Sequence, residues 1–200
     1  NYVPYTQKGR ESLTAFVSAL RKENPCDIFV LSVHTDETEY VPGVAEKRRN
    51  YYYTLLESGV DVIWANHPHI IREREIIGNE RTGNLEKLIM YGNGNTISGQ
   101  RWQPELDNPL NDRENTGDGL LFEVTFSRKH GTESEKNVII KETTPCYITT
   151  YINTNWEFII KNLDSDFVDY LKNAGRHKWA SYIEKRIEIC GKTKETILWK

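Results

Sequence analysis

Residues 27–40 read DIFVLSVHTDETEY, and this stretch decides the fold. Positions 27–33 form a nearly continuous apolar run, as expected of a short strand covered on both faces. His34 and an acidic segment follow at once. A second run of the same kind, VDVIWA at 60–65, leads directly into Asn66-His67-Pro68-His69. The residues between, from about Val44 to Ser58, predict a helix, with Gly59 suited to its C-terminal cap. Strand, helix and strand with short links predict a βαβ unit with parallel strands. Ligands of open α/β sheets bind beyond the carboxyl ends of the strands. Neighbouring strands would therefore bring His34 and the His67/His69 pair to one place.

Before this unit, Leu13, Phe16, Val17 and Leu20 recur at helical spacing and predict an amphipathic helix ending near Asn24-Pro25. After it, REREII (72–77) and KLIMY (87–91) flank the turn-rich GNERTGN and predict a hairpin. Residues 96–119 are polar and rich in Asn, Asp, Pro and Gly, the composition of a long surface loop. GLLFEVTF (119–126) and NVIIKET (137–143) pair across a turn with His130 at its tip, and CYITTYI (146–152) adds a third strand. From Asp164 the pattern is helical, with Phe167, Tyr170 and Leu171 on one face and Trp179, Ile183 and Ile187 on a later one. The fold class is α/β: a βαβ unit, then a β-rich region over residues 1–152, then a small helical C-terminal extension over 153–200.

With 26 Lys+Arg against 29 Asp+Glu, the net charge of -3 excludes nucleic-acid binding through bulk positive charge. No apolar run of about 18 residues is present to span a bilayer. Cys26, Cys146 and Cys190 match no zinc or redox spacing, although one disulfide among them stays open; Cys26 reads as a small buried hydrophobe. Lys47-Arg48-Arg49 reads as a solvated helix face, and Gly92-Asn93-Gly94-Asn95 as a tight turn. No serine sits on a nucleophile elbow.

Neutral imidazole is the commonest nitrogen ligand of divalent metals, and converging histidines beside carboxylates suit Mn, Zn or Fe. His34, His67 and His69 are therefore the candidate ligands. Asp36 and Glu37 could add oxygen, but a solvated acidic loop is the simpler reading.

The order of these motifs resembles the bacterial capsule-synthesis protein CapA family, which is associated with poly-γ-glutamate and related to calcineurin-like metallophosphoesterases. That family's pattern runs His-Trp-Gly, Glu-Tyr, Gly-His-His-Pro-His and Tyr-Ser-Leu-Gly-Asn-Phe. The matching positions are His34, Glu39, Tyr40, Gly59, Asp61, His67, Pro68, His69, Tyr91, Gly94 and Asn95, within about residues 10–125. The resemblance implies a partial metallophosphoesterase-like sandwich with His34, His67 and His69 as catalytic metal ligands. It also implies Glu39, Tyr40, Asn66, Gly94 and Asn95 at the substrate. The implied substrate is an anionic polymer or phosphoester, and the implied partners are other capsule-synthesis proteins. The implied location is extracytoplasmic or at the cell surface, through a membrane anchor outside this sequence.

The sequence departs from the pattern at Thr35-Asp36, where the family has Trp-Gly, and at Ala65-Asn66, where it has Gly-His. The family's earlier Gly-Asp, Asn-Leu-Glu and Asn-Asn-His motifs, which supply its bridging carboxylate, have no counterpart in residues 1–25. The chain thus corresponds to the C-terminal half of such a domain, with the N-terminal half as its implied sheet partner. Three functions compete: a metal-dependent hydrolase; a non-catalytic binding or assembly module for surface-polymer production; and a polar loop network with no role in either. Metal binding separates the first from the others, and polymer binding that survives chelation marks the second.

Overall fold

The computed structural model describes residues 3–128 and 138–200; His130, expected at a hairpin tip, lies outside them. The chain forms an open mixed sheet with helices, the mixed α/β architecture expected. The first helix, α1 (Gln7–Glu23), starts where the Thr6 side chain accepts from Gly9 N–H and ends at Asn24. Strand β1 (Val30–His34) leads through a loop to α2 (Glu46–Glu57), capped by Ser58 and turned by Gly59 at φ 113°. A side chain at 59 would sit 2.8 Å from Arg21 Cγ, so glycine meets both the conformation and the space.

Strand β2 (Val62–Asn66) pairs parallel with β1 in a register that sets His34 beside Asn66. The hairpin of β3 (Arg74–Asn79) and β4 (Asn84–Met90) follows, with β4 parallel to β2. On one face Val17, Tyr52, Leu55, Ile63, Ile89 and Tyr91 pack sheet against α1 and α2. On the other, Val62, Ile76, Leu88 and Met90 meet Phe122, Val124 and Phe126 of β5 (Asp118–Arg128).

Several expectations are corrected. The strands expected at 137–143 and 146–152 are one, β6 (Val138–Ile152), which runs through Pro145. Proline is tolerated because around 145 the strand pairs with β5 alone, leaving the other edge free of ladder bonds among the described residues. Residues beyond 152 hold the expected helices, α3 (Ser165–Asn173) and α4 (His177–Gly191), but also two strands. These are β7 (Phe158–Asn162) on β6 and β8 (Glu195–Trp199) on β3. Each is five residues long, too short for its alternation to stand out beside helical patterns.

Cys26 is exposed, because it lies in the connection before β1 rather than in the strand, and all three cysteines are free thiols. Arg48 and Arg49 are not a solvated face. Arg48 is buried against Asp36, and Arg49 pairs with Glu73 and Glu75; only Lys47 is exposed.

The 96–119 segment is not simply a surface loop either. Arg101 is 0% exposed and donates to Asp118, Thr149, Tyr182 and the carbonyls of Glu114 and Thr150. Arg186 of α4 donates to the other Asp118 oxygen at 2.7 Å. Two guanidiniums and the Asp118 and Glu114 carboxylates thus lock the loop to the C-terminal helix. Among the described residues no helix is long and apolar enough to cross a membrane.

Candidate functional site

The parallel register delivers the histidines as expected. His34 closes β1, Asn66 closes β2, and His67 follows it. The His34 and His67 ring centroids are 4.8 Å apart, and those of His67 and His69 are 6.0 Å apart. With Asn66, Pro68, Asn93, Gly94 and Asn95 these histidines line a cavity of about 130 Å³.

The nitrogens do not converge on one point. His67 Nδ1 lies 3.0 Å from His34 Nε2, while His67 Nε2 turns the other way. There Glu39 Oε1 stands 4.0 Å from His67 Nε2 and 3.8 Å from His69 Nε2. His67 therefore sits between two half-sites.

Asn95 fixes the third imidazole. Its Nδ2 faces four acceptors, the carbonyls of His69 and Thr116, Ser98 Oγ and Gln100 Oε1, at 2.9–3.3 Å. That orientation leaves Oδ1 facing His69 Nδ1 at 2.9 Å, so Nδ1 carries the proton and donates. The Nε2 lone pair is then available in the cleft, the arrangement by which an outer partner orients a metal-binding histidine. Tyr40 stacks on His69 at 6.0 Å and accepts from Gln100 Nε2 at 3.1 Å. The neighbouring Glu39 carboxylate, with burial, holds the Tyr40 phenol above its ordinary pKa.

The backbone here is strained. Among the described residues four non-glycine positions have positive φ, and three border the cleft: Tyr40 (63°), His67 (127°) and His69 (59°). Each such residue costs about 1–3 kcal/mol and persists only where its surroundings enforce it, typically at functional sites. Gly94, at φ 68°, has no room for a side chain: a Cβ would fall 2.3 Å from the Asp118 carbonyl.

Whether these residues suit a metal follows from the distances. Two imidazole nitrogens on one tetrahedral zinc stand roughly 3.3–3.4 Å apart. The His34–His67 contact at 3.0 Å is a hydrogen bond between the rings, so admitting one ion there requires loss of its proton and an opening of about 0.3–0.4 Å. The Glu39 distances are wider than the zinc spacing. Asn93 Oδ1, buried without a hydrogen-bond partner, lies on a residue lining the same cavity and offers an oxygen donor. Among the described residues, however, no group of three or more His, Cys, Asp or Glu side chains is arranged to hold an ion. The donor chemistry therefore fits a single divalent ion incompletely held, and a two-metal centre does not fit.

Glu37 is not a solvated acid, being 10% exposed and paired with Arg72, whereas Asp36 contacts Arg48 yet stays 64% exposed, as the solvated-loop reading expects. Tyr91 is core: its hydroxyl donates to buried Glu75 at 3.0 Å. The sequence reading missed Asn93, Gln100 and Arg72. Only Asn93 carried a signal, through its place in the Gly-Asn-Gly-Asn turn.

The sequence profile of the bacterial capsule synthesis protein PGA_cap family matches residues 2–100. A search of curated proteins gave no match. The matched segment holds α1, the βαβ unit, the β3–β4 hairpin and all three cleft histidines. The chain thus belongs, through residues 2–100, to the bacterial capsule synthesis protein family.

Proposed function

We propose that this capsule synthesis protein binds one divalent transition ion, of the Mn, Zn or Fe class, through His34 Nε2 and His67 Nδ1. In this reading it acts on an anionic polymer such as poly-γ-glutamate, or on a phosphoester. The observation that carries it is the 3.0 Å approach of those two nitrogens at the ends of adjacent parallel strands. When bound, such an ion polarises a phosphoryl or carbonyl oxygen and lowers the pKa of its water. The chain's own residues do the rest. His69 presents an unprotonated Nε2 to the cleft, oriented by Asn95. Tyr40, whose phenol proton is held by its hydrogen bond to Glu39, would have to turn that O–H from Glu39 to reach an anionic oxygen in the cleft. Glu39 stands ready to accept a proton beside His69.

We further propose that a carboxylate from an additional N-terminal half completes the ligand set, and that the protein works at the cell surface with other capsule-synthesis proteins. The family resemblance supports both. A second reading, a non-catalytic binding or assembly module, is favoured by the lack of a closed ligand group among the described residues.

The test is binding and cleavage of poly-γ-glutamate, and hydrolysis of p-nitrophenyl phosphate, with Mn²⁺ and with EDTA. Turnover that depends on Mn²⁺ and disappears in His34→Ala and His67→Ala supports the first reading. Polymer binding untouched by EDTA and by both substitutions supports the second.

A further inference from the structure

Arg72 lies outside the cleft cavity, yet it holds one of the cleft's walls. It follows His69 by three residues, its backbone N–H donates to the Gly92 carbonyl at 2.9 Å, and Ile71 bridges to Asn93. The side chain is 1% exposed. Its Nε donates to the Val41 carbonyl at 2.8 Å, Nη1 to Glu37 Oε1 at 2.9 Å, and Nη2 to the Thr38 carbonyl at 3.4 Å.

Those three acceptors bracket Glu39 and Tyr40, the two residues that the β1–α2 loop sends to His67 and His69. The loop has no helix or strand of its own between Thr35 and Ala45. At the cleft it is also tied by the Tyr40 N–H to the Pro68 carbonyl at 2.9 Å and by Gln100 Nε2 to the Tyr40 hydroxyl at 3.1 Å. At its start the Thr35 N–H donates to the Asn66 carbonyl at 3.0 Å. Glycine at 92 leaves room for the clamp, since a Cβ there would already stand 3.4 Å from Arg72 Cγ and 3.1 Å from the Ile70 carbonyl. A guanidinium is a planar, rigid fork that lysine cannot imitate. Swinging the loop away would strand that charge in the interior, so loop and fork move together or not at all.

We infer that Arg72 is a positioning residue: by gripping residues 37, 38 and 41 it sets Glu39 and Tyr40 against His67 and His69, and thereby tunes ligand affinity in the cleft. The affinity part rests on the proposed divalent-ion reading; the positioning part does not. Arg72 touches neither the cavity nor any ligand there, and acts only through the loop.

The experiment records histidine ring resonances by ¹³C-edited NMR, with Mn²⁺ affinity by calorimetry, for the unmodified chain, Arg72→Gln, Arg72→Lys, Glu37→Gln and Arg48→Gln. Tyr40 stacks on His69, so a displaced loop changes the ring-current shift of that imidazole. Arg72→Gln is expected to move the His67 and His69 resonances while leaving remote His177 in place. It is also expected to weaken Mn²⁺ about 10- to 100-fold, as losses of orienting partners do. Arg72→Lys, retaining charge but not the fork, recovers only part. A folded Arg72→Gln with His67 and His69 unmoved overturns the inference. Should that variant fail to fold, Glu37→Gln decides, because it neutralises one of the fork's three acceptors and keeps an amide oxygen for the Thr35 hydroxyl. Arg48→Gln is the control for the 4.0 Å contact of Glu37 to Arg48. Resonances moved in Glu37→Gln but not in Arg48→Gln support the clamp, and unmoved ones in Glu37→Gln overturn it. If the unmodified chain ignores Mn²⁺, the metal reading falls, while the ring shifts still judge the clamp.

Discussion

His67 Nδ1 and His34 Nε2 lie 3.0 Å apart although 33 residues separate them in the chain. The parallel register, running from Val30↔Val62 to His34↔Asn66, accounts for this. Side chains alternate along a strand, so a one-residue slip would send His34 to the opposite face. Ile63, at 0% exposure in the helix-side core, is among the residues that hold the register. The cleft is thus a product of core packing as much as of its own polar bonds.

Replacing Asn95 with Ala removes the acceptor that places the proton on His69 Nδ1, together with the donor shared among four acceptors. Ring ¹⁵N shifts are expected to report Nδ1–H in the unmodified chain and a mixture of tautomers in the variant. Leaving these polar groups unpaired costs about 1–3 kcal/mol, measurable by urea unfolding. A variant whose His69 tautomer is unchanged would show that Asn95 does not set it.

Asp118→Asn tests the buried lock. Asp118 accepts from Arg101, Arg186 and Thr149, and the side chains of both arginines are almost wholly inaccessible. Removing its charge leaves the cationic groups under-compensated, a loss of about 3–5 kcal/mol. Urea denaturation monitored by tryptophan fluorescence gives the number. A loss below about 1 kcal/mol, as is typical of exposed ion pairs, would mean the network is not a lock.

Alkaline stability follows from three tyrosines. Burial raises the phenols of Tyr52, Tyr91 and Tyr182 above their ordinary value of 10.0. Their folded-state pKa values exceed the unfolded ones, so the folded chain retains protons that the unfolded chain releases. The associated stability is fully present below pH 10 and is lost as pH climbs beyond it toward the raised values. Denaturation midpoints from pH 8 to 11.5 are expected to stay level and then fall. Tyr52→Phe, which also removes an unpartnered buried hydroxyl, should soften that fall. A flat profile through pH 11.5 contradicts the assignment.

The βαβ unit and its histidines were legible because two apolar runs each end in a histidine segment, and parallel strands align their carboxyl ends. Other features are matters of tertiary context. Cys26 begins an apolar run but lies in the connection ahead of β1. Phe16 fits a helical stripe yet is 57% exposed, while its neighbour Val17 is 1% exposed. Arg48 and Arg49 look like solvent charges until Asp36, Glu73 and Glu75 are brought to them. The Arg101–Asp118–Arg186 lock joins residues 68 or more positions apart at its far end, beyond any spacing rule. Local periodicity gave the elements, whereas buried polar partners became visible only in three dimensions.

The most direct measurement is calorimetric titration of Mn²⁺ and Zn²⁺ into the metal-stripped chain, repeated with His34→Ala, His67→Ala and His69→Ala. One ion per chain is expected, lost in the His34 and His67 variants and weakened in that of His69. Saturable binding that survives the removal of both His34 and His67, or no binding to the unmodified chain, would contradict an ion held between those two imidazoles.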